Sequence, residues 1–249
     1  MRQLKFCIMG AAMIAIAGPK AAMADDFNYA APSSATRTIK LWSTRYYVHY
    51  VDSSETSDAA PLYRQDGTPL GVSIPKSQFC FAALQGTLAV KAGSTTTVYN
   101  AAGLSQRQSA NCAYRKLTPA VNSKLGRQAW VPVTGNGKFG LGVRTYRLLP
   151  FRTIAVDAGT IPYGTVLFIP QLRGFKFDDG GEARVHDGYV FAGDTGGAIK
   201  KNHIDFFTGG FTGPPPAFVT SRSTGLFEAQ IVTDTHIIDE LTREAAYKP

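Results

Sequence analysis

The chain has few of the residues that most often announce a function. Three cysteines and four histidines among 249 residues form no group spaced like a zinc site, with its paired Cys-x-x-Cys and histidine partners. No metal or other cofactor is expected. No Gly-x-Ser-x-Gly elbow presents a nucleophilic serine. The glycine-rich run 135–142 lacks the strand-to-helix setting and the Gly-Lys-Ser/Thr ending of a phosphate cradle. Beyond the first residues no apolar run is long enough to span a bilayer. Basic residues are scattered rather than striped and no nucleic-acid motif accompanies them, so no nucleic-acid partner is expected. Internal repeats and low-complexity tracts are also missing.

What is present begins with an export signal. Arg2 and Lys5 precede an apolar run from Phe6 to Gly18, and Ala22-Met23-Ala24 follows before Asp25. That order predicts a secretory signal peptide over 1–24, cleaved after Ala24. Cys7 lies inside it, too early for a lipoprotein cysteine. The mature chain is then exported, periplasmic or extracellular, without a membrane span. Only Cys80 and Cys112 remain, an even number in an oxidising compartment, which favours a disulfide; the alternative is two buried free thiols. The peptide also removes Arg2, Lys5 and Lys20 and no acids, leaving +5 of the formal +8. That balance suits attraction to an anionic polymer such as cell wall.

Fourteen prolines and 25 glycines, with many Thr, Val, Tyr and Phe, predict an all-β chain of strands joined by tight turns. A loose lead-in gives way to a β-branched and aromatic stretch, Thr38 to Val51, read as one long strand or a bent pair. Ser77 to Leu84 predicts a short helix capped by Ser77 and ended by Gly86. Thr87–Lys91 and Thr95–Tyr99 predict strands around a Gly93-Ser94 turn. The polar, weakly patterned stretch from Gln106 to Gln128 is tethered by Cys112. From Thr153 the pattern sharpens: strands over 153–157, 165–169, 189–192, 204–207 and 227–232. A polar loop from Arg173 to Asp187 turns at Gly180-Gly181, with Asp178, Asp179 and Asp187 solvated. Asp194-Thr195 can cap one helical turn over 196–200, with Asn202 left-handed at its end. A terminal helix over 234–246 is expected, capped by Thr235 with Ile237, Ile238, Leu241 and Ala245 on one face.

Asp157, Asp194 and Asp205 each close or begin a strand beside a glycine turn. Asp205 lies between Ile204 and Phe206, a costly place for an ionisable group unless something uses it. Two carboxylates brought together by the turn push one pKa up, and an apolar setting raises it further. The result is a protonated acid able to donate to a glycosidic oxygen, the minimum chemistry for breaking an acetal. The bland alternative is that these are turn and cap residues. His186 and His203 have no nucleophilic partner nearby and are at most ligand-orienting.

In order, Ile154-Ala155-Val156-Asp157, Ile161-Pro162-Tyr163-Gly164-Thr165, Gly193-Asp194-Thr195-Gly196-Gly197-Ala198-Ile199 and Ile204-Asp205-Phe206-Phe207 resemble the signature of the three-aspartate (3D) domain. That family includes membrane-bound lytic transglycosylase A and stationary-phase muralytic proteins. Trp42-Ser43-Thr44-Arg45-Tyr46 is similar to the family's early strand. Tyr163 replaces a frequent leucine and Lys201 a frequent glycine. The resemblance implies a double-psi β-barrel with an inserted, smaller β-rich subdomain. It divides the chain into a lead-in and first barrel strands (25–71), the insertion (72–152), the barrel core (153–233) and a tail (234–249). It also implies a lytic transglycosylase that cleaves peptidoglycan glycan strands between MurNAc and GlcNAc, leaving 1,6-anhydro-MurNAc. Asp205 matches the acid/base, Asp194 and Asp157 the supporting acids, with Thr44, Tyr46 and His203 as substrate-binding candidates. The competing expectation is a non-catalytic wall-binding barrel, and a less favoured one a hydrolase of another glycan.

Overall fold

Alternation along the strands of the carboxyl-terminal half decides which side chains close a core and which face outward. The computed structural model describes residues 27–33, 37–114, 116–178 and 182–249. The expected signal peptide with Cys7, Asp179 and the Gly180-Gly181 turn lie outside them. Six strands close a barrel: β1 (Arg37–Tyr46), β8 (Thr153–Ala155), β9 (Val166–Phe168), β12 (Tyr189–Asp194), β13 (His203–Phe207) and β14 (Phe227–Ile231), in the order β1-β13-β8-β12-β9-β14. β1 runs parallel to β13 and β8 parallel to β12, and the other neighbours are antiparallel. Closure leaves no exposed edge. Leu41, Ile154, Leu167, Val190, Ala192, Ile204, Phe206 and Ala229 fill the interior.

The intervening positions point outward and are covered twice. On one side α3 (Thr235–Ala245) lays Ile237, Leu241 and Ala245 against Val166, Phe168, Tyr189 and Phe191. Asp234, rather than the expected Thr235, caps it, accepting from the amides of His236 and Ile237. On the other side Tyr46, Ala155 and Phe207 pack with Ala89 and Val98 of a second body.

That second body comprises the sheet β2-β5-β6-β7, formed by β2 (His49–Asp52), β5 (Thr87–Ala92), β6 (Thr95–Leu104) and β7 (Gln128–Pro132). With it go the hairpin β3 (Ala59–Tyr63)/β4 (Pro69–Pro75), α1 (Lys76–Gln85) and α2 (Pro119–Gly126), sharing a core that includes Leu62, Ile74, Phe79, Leu88, Val90 and Trp130. By sheet membership β2 already belongs to this body, so the expected start of the insertion at residue 72 falls inside β4. The bent pair expected over 38–51 is β1 and β2, divided between the two bodies. Pro75 rather than Ser77 precedes α1, with no side-chain cap; Gly86 ends it in the left-handed conformation. The weakly patterned 106–128 stretch contains α2, whose Thr118 cap and Pro119 start bracket too short an apolar face to stand out. The Cys80–Cys112 disulfide is formed.

Three further expectations are corrected. The Arg173–Asp187 segment is not a plain loop: it carries the hairpin β10 (Lys176–Asp178)/β11 (Ala183–Val185), which buries Phe177. Asp187 is not solvated. It is buried, and Arg152 grips both its oxygens at 2.6 and 2.8 Å. Burial opposes its ionisation, but the Arg152 bonds win and hold it below the usual carboxylate range. Finally, 196–200 forms turns rather than a helical turn, and Lys201, not Asn202, takes the left-handed conformation.

Candidate functional site

The parallel register of β1 and β13 sets Trp42 beside His203, Thr44 beside Asp205 and Tyr46 beside Phe207. All six lie on the outward face, because Leu41, Ile204 and Phe206 take the inward one. Asp205 is also opposite Ala155 of β8. On the far side of β8, Ala155 is paired with Asp194. The two carboxylates therefore flank one alanine, two strand spacings or roughly 10 Å apart at the backbone, and face the same way.

A bulge makes this possible. Ala192 pairs with Ile154, but the next β8 residue pairs with Asp194, leaving Gly193 as an extra residue. Without it position 193 would face outward and Asp194 inward; the inserted residue re-aims the acid. Close above, the 140–147 loop crosses β12 at Gly142, where a Cβ would lie 2.1 Å from the Gly193 carbonyl oxygen. Only glycine fits that crossing.

The carboxylates line a cleft of about 380 Å³ between the two bodies. Its barrel wall is Tyr46, Ala155, Asp194, Asp205 and the Thr195–Gly197 turn; its other wall includes Leu84, Gln85, Gly86, Thr87, Asn100, Leu141 and Gly142. Asn100 fixes the Leu141 loop by accepting from its amide at 2.8 Å and donating to its carbonyl. None of these second-wall residues stands out in the sequence, since they carry ordinary strand and turn patterns. Among the described residues no three His, Cys, Asp or Glu side chains gather as metal ligands would.

Each carboxylate has one hydroxyl donor. Thr44 Oγ1 donates to Asp205 Oδ1 at 2.8 Å, and Tyr46 donates to Asp194 Oδ2 at 2.8 Å. The Thr195 amide donates to Asp194 Oδ1. Burial pushes Asp205 up to about 7, with Thr44 pulling it down and the charge of Asp194 adding to the rise. Burial likewise lifts Asp194 to about 6, against the bonds from Thr195 and Tyr46. Tyr46 itself is raised well above its ordinary value by burial and by Asp194, so it stays a proton donor. Thr44 and Tyr46, expected to touch substrate, are thus bonded to the acids.

His203 lies flat against Trp42, with ring centroids 3.6 Å apart, and its Nε2 is 2.9 Å from Thr44 Oγ1. Thr44 has one proton. If it goes to Asp205, its oxygen can accept from His203 Nε2–H. The other ring nitrogen, Nδ1, lies 3.4 Å from the Ala198 carbonyl, which can only accept, so a neutral ring donates to one of these two oxygens at a time. Burial lowers the His203 pKa, in keeping with a neutral ring. His186 is elsewhere: buried, accepting the Gly188 amide at Nδ1 and donating from Nε2 to the Phe151 carbonyl. Burial, then Arg152, drives it down to about 3.

Asp157 does not join the other two acids. Its oxygens accept the amides of Gly159 and Lys201, at 3.1 and 2.8 Å, which together lower its pKa. It fastens the turn after β8 to the Lys200–Asn202 turn that leads into β13.

Residues 152–212 match the family model of the 3D domain. No curated protein matches the sequence. Among solved structures, E. coli MltA with bound chitohexaose is similar at a TM-score of 0.52 and 17% identity, over 77% of this chain and 71% of that one. A membrane-bound lytic murein transglycosylase from Agrobacterium tumefaciens is similar at 0.52 and 16%, over 80% and 76%. Residues 152–212 thus carry the match to the 3D domain, and the fold is an MltA-like double-psi barrel.

Proposed function

We propose that the chain is an exported peptidoglycan lytic transglycosylase, cutting the MurNAc–GlcNAc β-1,4 bond with one aspartate as acid and then base. The observation that carries this reading is Asp205, raised to about 7 on the cleft face of β13. At neutral pH such a carboxyl exists in both forms, so it can give a proton in one step and take one in the next. The similar E. coli protein was solved with a chito-oligosaccharide, which fits the same cleft chemistry. Fold likeness alone does not assign an activity.

In the first step the protonated Asp205 gives its proton to the glycosidic oxygen as the C1–O4 bond breaks. Thr44 holds Oδ1 as an acceptor, so the mobile proton rides on Oδ2. In the second step the C6 hydroxyl oxygen of the same MurNAc attacks C1, forming the 1,6-anhydro ring, and its proton returns to Asp205. Atoms balance without water, so no second carboxylate is required as a nucleophile or to activate water. Asp194, ionised above about pH 6, stabilises positive charge developing at C1. Asp157 and the His203–Thr44 pair position the machinery.

The test is digestion of purified sacculi with product masses recorded. Anhydro-muropeptides from the wild type and none from Asp205→Asn support the proposal; equal release by that variant sinks it. The second reading, a wall-binding barrel without turnover, predicts sacculus pull-down and no soluble product. The raised pKa of Asp205 favours the enzyme, because a barrel that only bridges strands gains nothing from a costly buried carboxyl.

A further inference from the structure

The mouth of the cleft opens onto an aromatic surface that the acid chemistry does not use. On α1 the apolar face that enters the core is Phe79, Ala82 and Ala83. Phe81 and Leu84 sit on the other edge, 46% and 51% exposed, three residues apart and therefore side by side. Leu84 and Gln85 line the cleft, so this edge continues from it. The Phe81 ring packs edge-on against Tyr114, 5.7 Å between centroids, and lies near-parallel to His49 at 6.3 Å. Gln85 accepts the Tyr47 amide at 2.9 Å, which orients its amide nitrogen as a donor.

The disulfide explains how Tyr114 is kept there. Between β6 and α2 the described residues form no helix or strand. Cys112 ties that segment to Cys80, the residue before Phe81. Asn122 then clamps Tyr114 by accepting its amide at 2.9 Å and donating to its carbonyl at 3.1 Å. A covalent tie and two hydrogen bonds hold one aromatic ring beside a half-exposed phenylalanine. Single exposed apolar residues need no explanation, but a braced cluster continuous with a cleft marks a binding surface.

The geometry points to a glycan-binding ledge, formed by Phe81, Leu84 and Tyr114, that holds a sugar ring beyond those spanning the scissile bond. A pyranose presents a face of C–H groups, which stacks on aromatic rings, and a rim of hydroxyls and acetamido groups, which suits a donor such as Gln85. This inference rests on the proposed glycan chemistry of the cleft, and it adds that affinity depends on strand length. The Cys80–Cys112 bond is then a brace for substrate binding and not only for the fold.

The experiment compares wild type, Phe81→Ala and the distant control Val185→Ala, whose side is 52% exposed on β11. Each is assayed on long uncrosslinked glycan strands and on a short muro-oligosaccharide. The expected result is a KM on long strands raised about two- to tenfold in Phe81→Ala, the range a lost aromatic contact supplies. kcat, the short substrate and the control stay unchanged. Equal losses on both lengths, no loss, or the same loss in Val185→Ala overturn the ledge. Binding of chito-oligosaccharides of increasing length to Asp205→Asn, followed by calorimetry, is read without turnover. If wild type makes no anhydro product the activity reading fails, while a length-dependent affinity lost in Phe81→Ala/Asp205→Asn still supports the ledge and its absence overturns it.

Discussion

Replacing Asp205 by Asn removes a group whose placement costs stability, and the cost follows from its surroundings. A carboxyl moved from 3.8 to about 7 has a folded state that holds its proton more tightly than the unfolded state does. Between those pH values the folded chain binds more protons, so wild-type stability falls as pH rises, and above about pH 7 the whole penalty is incurred. At about 1.4 kcal/mol for each tenfold change in proton affinity, the penalty is about 4 kcal/mol if the site were sealed. The cleft admits water to Asp205, which screens part of it, and half that value, about 2 kcal/mol, is the expected gain. Asn keeps an oxygen to accept from Thr44 and has the same size, so little else is lost. For a chain of this length that gain raises Tm by about 4–8 °C. Thermal denaturation followed by circular dichroism checks it: Asp205→Asn should melt above wild type at pH 8 and level with it near pH 4. Equal or lower Tm at pH 8 would refute the claim that Asp205 is held where its charge is unfavourable.

Other consequences follow from the same geometry. With Asp194 ionised above about 6 and Asp205 protonated below about 7, kcat/KM should trace a narrow bell between those apparent values; a profile still rising at pH 9 contradicts the assignment. Ala155→Leu would fill the gap between the two acids and displace the reacting centre. It should cost about 1–3 kcal/mol of stability by overpacking and about a hundredfold or more in kcat, and full activity would remove the alanine from the account. Asp187→Ala removes the carboxylate that takes two hydrogen bonds from the buried Arg152 guanidinium, and should cost about 3–5 kcal/mol in urea denaturation; a change below 1 kcal/mol would show that the pair is not structural.

Much of this was legible from residues 153–209, because a barrel strand must repeat with period two and a buried acid breaks that pattern visibly. Asp205 between Ile204 and Phe206 is such a break. The difference between Asp157 and the other two acids was not legible: all three close strands beside glycines, and only the Gly193 bulge and the Lys201 amide separate their roles. Asp187 misled because its neighbours are polar, while its partner Arg152 is 35 residues away. The β10/β11 hairpin was not legible either, because its strands are three residues each and too short to show alternation. The second body offered least: β2, β3 and β4 are ordinary strands, and nothing local says which sheet a strand will join. The disulfide was readable as chemistry from the number of cysteines left after export, but not what it braces.

In the proposed reaction the nucleophile is the sugar's own C6 hydroxyl and Asp205 moves both protons. Digesting sacculi in water enriched in 18O, then weighing the products, tests it directly. The expected products are muropeptides lighter by one water than hydrolytic fragments, with no 18O at C1, and none of these from the folded Asp205→Asn. Reducing ends carrying 18O would contradict it and make the chain a hydrolase.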